Sequence, residues 1–229
     1  MKILKFGGKS LANGDALKSA LNIIINESKK GQIAVVVSAR ANNTDDLLEM
    51  INLAVEGNEV TTSLQALVNY HKEIAPEISL DFEYSELFTL LNAIKTIGFT
   101  NDKISAKIIA YGELISAKII ASLLNKKGVL SQRVDAREIF ITNTTDESVN
   151  YPISETKTKE FWSKLSINTV SIVTGFIASD TEGNTTTLGR NGSNLSATLL
   201  ANFLDAEEVQ NWTNIDGLYT ANPSYVKTA

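Results

Sequence analysis

Apolar and polar positions alternate between two rhythms along this chain, one fitting strands and one fitting helices. Residues 3–6 are a short, mostly apolar run ending in two glycines, the pattern of a strand opening into a loop. Beyond Asn13-Gly14-Asp15, the apolar residues Ala16, Leu17, Ala20, Leu21, Ile24 and Ile25 recur at helical spacing, with Asn13 as the expected cap. Lys29-Lys30-Gly31 closes that helix. Residues 33–37 are an unbroken apolar run rich in valine, as in a strand buried on both faces of a parallel sheet. Strand, helix and strand in this order predict a βαβ unit.

Residues 44–125 read as mostly helical. Leu47, Leu48, Ile51 and Val55 share one face, and Ile104, Ile108, Ile115, Ile119 and Leu123 share another; Gly128 ends the block. Residues 129–130 and 139–141 read as short strands, residues 154–165 as a helix, and residues 169–174 as a second buried strand. Asp180-Thr181-Glu182-Gly183-Asn184 is a turn cluster between two β-like runs and predicts a hairpin. Residues 193–204 read as a helix capped by Ser193 or Asn194, residues 207–213 as a strand, and Asn222-Pro223 as a turn. With no internal repeat, low-complexity segment or evident linker, the prediction is one α/β domain over residues 1–229. Its expected architecture is a three-layer sandwich around a mainly parallel central sheet.

Composition narrows the function classes. Hydrophobic residues at 43% and charged residues at 21% are an ordinary globular balance. A net charge of −5 argues against a general nucleic-acid surface. The absence of cysteine removes disulfides, thiol nucleophiles and thiolate metal sites. The first residues, MKILKFGGKS, lack the apolar stretch of a signal peptide, and no run of about 18 apolar residues suggests a membrane span. The reading is a cytoplasmic protein without membrane or nucleic-acid partners.

Five segments carry candidate chemistry. In Lys5-Phe6-Gly7-Gly8-Lys9-Ser10, adjacent glycines after a strand let backbone N–H groups approach an anion, and Lys5 supplies a charge for phosphate oxygens. A tight turn with solvated lysines explains the same residues about equally well. The end of this segment matches a Walker A loop, but that pattern needs a glycine where Ile3 stands and a loop where the chain reads as strand. In residues 37–45 a buried strand emerges into a polar loop, where Ser38 and Thr44 could bond a small ligand; Thr44 could equally be only a helix cap. In Tyr111-Gly112-Glu113-Leu114, Glu113 interrupts an apolar helix. It should pair with a cation or face a cleft, unless it lies on a solvated face. The fourth segment is Val173-Thr174-Gly175-Phe176-Ile177 followed by residues 185–194, in which a β-like run ends in Gly189-Arg190-Asn191-Gly192-Ser193 and a helix starts. That places free N–H groups, a positive dipole end and a bidentate guanidinium together. The fifth segment, Trp212 to Thr220, is a strand end and polar turn with an aromatic residue, fit for a base and ribose or for a plain surface turn.

These segments, in this order, resemble the aspartate kinases of the amino-acid kinase family over nearly the whole chain. Lys-Phe-Gly-Gly, the central Gly-Glu, and Thr185-Thr186-Thr187-Leu188-Gly189-Arg190-Asn191-Gly192-Ser193 form the specific set. Gly-Arg-Asn-Gly-Ser is similar to aspartate kinases fused to homoserine dehydrogenase. The resemblance implies transfer of the ATP γ-phosphoryl group to the β-carboxylate of L-aspartate, giving 4-phospho-L-aspartate in the biosynthesis of lysine, threonine and methionine. Mg²⁺ would arrive with ATP. No general base is needed, so catalysis is positioning and charge neutralisation.

By the same resemblance Lys5, Glu113 and Arg190 are catalytic. Ser38, Thr44, Glu113, Arg190 and Ser193 bind aspartate, with Glu113 facing its ammonium group or fixing Lys5. Lys5, Gly7, Gly8, Ser10, Thr213, Asn214, Asp216 and Tyr219 bind ATP. A homo-oligomer is expected of the full-length protein. The family usually has threonine at Lys9, aspartate at Asn194 and Asn214, and Asp-Pro-Arg where this chain has Asn222-Pro223-Ser224. It also continues beyond the position of Ala229, so the nucleotide end is expected to be incomplete. Two alternatives stand beside this reading. One is a kinase fold that binds ligand without phosphoryl transfer; the other is a kinase for glutamate, acetylglutamate or carbamate. His71 is read as a helix-surface residue, and Asp45-Asp46 and Glu207-Glu208 as terminal charges rather than metal ligands.

Overall fold

The computed structural model describes residues 1–213, 220, 225 and 226. Its central sheet has the strands β1 (Lys2–Phe6), β2 (Ile33–Val37), β3 (Ser131–Val134), β5 (Val170–Thr174) and β8 (Glu208–Trp212). They lie in the order β3-β5-β2-β1-β8, and every neighbouring pair is parallel. A second sheet joins β4 (Ile141–Thr142), β6 (Ile177–Asp180) and β7 (Thr185–Thr187). The β6–β7 pair is the predicted antiparallel hairpin. Its turn is held by Asp180, whose carboxylate accepts from the backbone N–H groups of Glu182 and Asn184.

Seven helices complete the described residues: α1 (Asp15–Ser28), α2 (Asn43–Val55), α3 (Thr61–Lys72), α4 (Asp81–Ile97), α5 (Asp102–Lys126), α6 (Tyr151–Ser163) and α7 (Gly192–Phe203). The pleat of β1 sends Leu4 and Phe6 to one face of the sheet, against Leu17, Leu21 and Ile24 of α1 and Ile120 and Leu124 of α5. Ile3, beside Lys5 on the opposite face, packs with Ala197 and Leu200 of α7. All five residues of β2 are buried, as their unbroken apolar run predicts. The helices α2, α3 and α4 gather with the first half of α5 into a helical group sharing the core that contains Ile3.

Several local expectations fail for identifiable reasons. Asn13 does not cap α1; Gly14 stands there with φ +85°, and the Asn13 side chain reaches Tyr70 and Glu73 of α3 instead. Neither Ser193 nor Asn194 caps α7, because Asn191 occupies that position in a left-handed conformation at φ +61°. Residues 129–130 precede β3 rather than forming a strand, and Ile139 ends a 3-10 turn. Leu48 is exposed although its helical face is otherwise buried. Helix α5 is long and apolar enough to cross a bilayer by length and composition, yet most of it is buried between the sheet and the helical group.

His71 is buried rather than on the surface. Asn43 Nδ2 donates to its Nε2 at 2.7 Å, leaving Nδ1 to carry the proton toward the Tyr84 hydroxyl at 2.7 Å. Burial, with the nearby Arg40 charge second, holds its pKa down at about 3, so the ring is neutral at physiological pH.

Candidate active site

The carboxyl ends of β1, β2 and β5 open onto one cleft of about 410 Å³. Chain order reverses around β1, whose neighbours are β2 on one side and β8 on the other; in open parallel sheets ligands bind at such a switch. The cleft is lined by Lys5, Gly7, Gly8, Ser38, Thr44 and Glu113 from the first half of the chain. The second half supplies Phe176 and the run Gly189 to Asn194. Every residue expected to bind the amino-acid substrate is therefore here, together with three of those expected to bind ATP.

Close packing at Ala39 brings the two walls together. A Cβ on Gly8 would lie 2.6 Å from the Ala39 carbonyl oxygen and 2.8 Å from that of Ala41. A Cβ on Gly112 would lie 2.8 Å from the Ala39 Cβ. Only glycine at both positions lets the β1 loop and helix α5 press against the end of β2. The approach of α5 delivers Glu113: its Oε1 accepts the Ala39 backbone N–H at 3.0 Å. Its Oε2 is buried with no hydrogen-bond partner among the described residues. Glu113 is thus not on a solvated face, and it forms no bond to Lys5. Burial pushes its pKa up to about 8 despite the Ala39 bond, so the carboxyl is mostly protonated at pH 7.

Lys5 projects from the α7 side of β1, its Nζ near the space a Gly7 Cβ would fill. Burial lowers its pKa, a state that an anion in the cleft would reverse. The opposite wall is the start of α7, where Ser193 Oγ accepts from Ser38 Oγ at 2.9 Å. Arg190 is exposed at the rim. One wall thus offers glycine amides and an ammonium, and the other offers a helix N-terminus, hydroxyls and a guanidinium. Such a cleft can hold a phosphate chain at one end and a small carboxylate at the other.

Two site expectations, Ser10 and Thr213, fall elsewhere. Ser10 donates to the Trp212 carbonyl at 3.5 Å and, with Thr213, borders a separate depression of about 190 Å³ beside Phe6 and Trp212. Asn214, Asp216 and Tyr219, with Asn222 and Ser224, lie outside the described residues. Phe176 belongs to the run of residues 173–177 in the fourth candidate segment but is given no role there; its φ is +68° and its ring lies over Gly192 in the cleft. The position after Gly175, where a buried strand ends, was the available signal. Among the described residues no three His, Asp or Glu side chains converge on a metal position.

The amino acid kinase family matches residues 1–229. The chain belongs to the amino acid kinase family. Within that family it is 33% identical to a bifunctional aspartokinase/homoserine dehydrogenase of Buchnera aphidicola subsp. Acyrthosiphon pisum, over all of this chain and 30% of that protein. It is 30% identical to the lysine-sensitive aspartokinase 3 of Escherichia coli, over 99% of this chain and 52% of the relative. The crystal structure of E. coli aspartokinase III in complex with aspartate and ADP superimposes with a TM-score of 0.88 at 28% identity, covering 99% of this chain and 52% of that one. The chain therefore spans about a third to a half of the length of these relatives. The mainly parallel sheet with helices on both faces is the architecture of this amino acid kinase neighbour.

Proposed function

We propose that this chain is the catalytic segment of an aspartate kinase, transferring the γ-phosphoryl group of ATP to the β-carboxylate of L-aspartate. The observation that carries this is the single cleft joining Lys5, Gly7 and Gly8 to Ser38, Thr44, Glu113, Arg190 and Ser193. The similarity to an aspartokinase crystallised with aspartate and ADP supports it. One oxygen of the β-carboxylate attacks the γ-phosphorus, the bond to the β–γ bridging oxygen breaks, and ADP leaves with that electron pair. The carboxylate is already a nucleophile, so the chain's residues align it and neutralise charge. Lys5 would meet the equatorial phosphoryl oxygens, and the Gly7–Gly8 backbone would cradle the phosphates. Arg190 would grip a substrate carboxylate, and the unpartnered Glu113 oxygen would take the substrate ammonium. Mg²⁺ would enter bound to ATP. The expected setting is amino-acid biosynthesis in the cytoplasm, in a homo-oligomeric full-length protein.

One observation favours a second reading, a fold that binds ligand with little transfer. Lys5 is partly desolvated with no carboxylate among the described residues to raise its pKa, and Asn194 in the same cleft carries no charge. A single assay separates the two. Full-length protein is given MgATP and L-aspartate, and the acyl phosphate is trapped with hydroxylamine. Aspartyl hydroxamate lost in Lys5→Ala supports the kinase; no hydroxamate from the unaltered protein sinks it. Glutamate run in parallel decides the substrate.

A further inference from the structure

Four consecutive residues at the end of β2 each reach a different part of the molecule. Ser38 bonds Ser193 of α7, and the Ala39 N–H bonds Glu113 of α5. The Ala41 N–H donates to the Gly8 carbonyl at 2.9 Å, with Ala41 held in a left-handed conformation at φ +49°. Arg40 turns away from the cleft and is fully buried. Its Nε donates to the Leu11 carbonyl at 3.0 Å, and its Nη2 donates to Asn13 Oδ1. Its guanidinium carbon lies 5.0 Å from the centre of the Tyr70 ring.

A buried guanidinium without a carboxylate beside it is costly. Among the described residues no carboxylate lies within ion-pair distance of Arg40. Asn13 stands between the charges instead: its Oδ1 accepts from Arg40 while its Nδ2 donates to Glu73 Oε2 at 2.7 Å. The two acceptors of Arg40, Leu11 and Asn13, directly follow the Gly7–Gly8 loop. Ser38 and Ala39 have their own anchors, so of these four residues Arg40 is the one that holds the far end of that loop, where Tyr70 and Glu73 also bond Asn13.

We propose that Arg40 is a positioning residue for the phosphate end of the cleft, fixing the Gly7–Gly8 loop against β2 by gripping Leu11 and Asn13. The proposal deepens, and rests on, the kinase reading above. It assigns Arg40 no contact with either substrate.

The test uses the whole chain carrying Arg40→Ala, Arg40→Lys or Asn13→Ala, with MgATP and L-aspartate affinities measured by calorimetry and backbone hydrogen exchange followed by residue. Arg40→Ala should weaken MgATP about 10- to 100-fold, the scale of losing charge-assisted hydrogen bonds, while L-aspartate binding changes less than about threefold. Exchange should quicken across residues 7–13 and stay unchanged in β5. Added guanidinium ion should restore MgATP affinity. Arg40→Lys should recover only part, because an ammonium cannot span both acceptors. Asn13→Ala should reproduce the loss and fail to add to it in the double variant, and it carries the same readouts if Arg40→Ala does not fold. Unchanged MgATP affinity and loop exchange in a folded variant overturn the proposal, as do equal losses for both ligands. If the unaltered chain binds neither ligand, the kinase reading fails instead, and the exchange measurement alone decides what anchors the loop.

Discussion

Ala39 and Glu113 are joined by one hydrogen bond of 3.0 Å, and that bond uses only half of the carboxyl group. The other oxygen is buried in the cleft without a partner among the described residues. The bond holds α5 to the end of β2.

The first prediction concerns that oxygen. Glu113 holds a proton at pH 7 because burial lifts its pKa from 4.5 to about 8. An ammonium docking beside it should drive the proton off. L-aspartate binding at pH 7 should therefore release up to about one proton, read as a dependence of the calorimetric heat on buffer ionisation enthalpy. Glu113→Gln should abolish the release. Proton uptake, or the same release in Glu113→Gln, would refute the assignment.

Folding stability carries the same signature. Between pH 4.5 and about 8 the folded chain keeps a proton on Glu113 that the unfolded chain has lost, so this group makes stability fall as pH rises. Denaturant titrations should show Glu113→Gln gaining stability relative to the unaltered chain at pH 8–9, by roughly 1–3 kcal/mol after structural relaxation, and little below pH 5.

His71 acts with the opposite sign. Its pKa falls from 6.5 to about 3 on burial, so the unfolded chain binds a proton that the folded chain refuses. Stability should drop as pH falls from 6.5 toward 3. His71→Gln should lower the maximum, by breaking the bonds to Asn43 and Tyr84, and should flatten the acid limb. An acid limb of unchanged slope would count against the buried neutral ring.

How much of this was legible in the sequence depends on scale. The unbroken apolar run of β2 and the glycines after β1 announced the parallel sheet and its open end, because burial on both faces leaves no alternation to hide. The residues of the cleft were legible as motifs, since Lys5, Glu113 and Arg190 are polar interruptions at strand ends or in an apolar helix. What failed was the choice between local and distant partners. Asn13 is as good a cap as any by composition, but Arg40, Tyr70 and Glu73 claim its side chain. His71 continues the buried stripe of Leu64 and Leu67 on α3, but a polar ring at that spacing did not say that α2 and α4 supply its partners. Nothing in a short window of sequence reports such contacts.

Lys5→Ala should reduce phosphoryl transfer about 100- to 1000-fold, the scale of removing one preorganised charge from a transition state, with L-aspartate affinity changed little. Hydroxylamine trapping gives the rate and calorimetry the affinity. A mutant that transfers at the unaltered rate would remove Lys5 from the chemistry.

Gly8→Ala should damage fold and site together, because the new methyl meets two backbone carbonyls that cannot rotate away. A loss of about 1–3 kcal/mol in stability is expected, with weaker MgATP binding. Full stability in this variant would show that the loop has room the structure does not provide.

The sheet order has a consequence for how the chain reaches this state. β1 is the first strand described, and it lies between β2 and β8, the last. During synthesis one side of β1 stays unpaired until almost all of the chain described here has emerged. Pairings so distant in sequence are slow to close. The nascent chain must therefore keep an apolar strand edge shielded until β8 has been added.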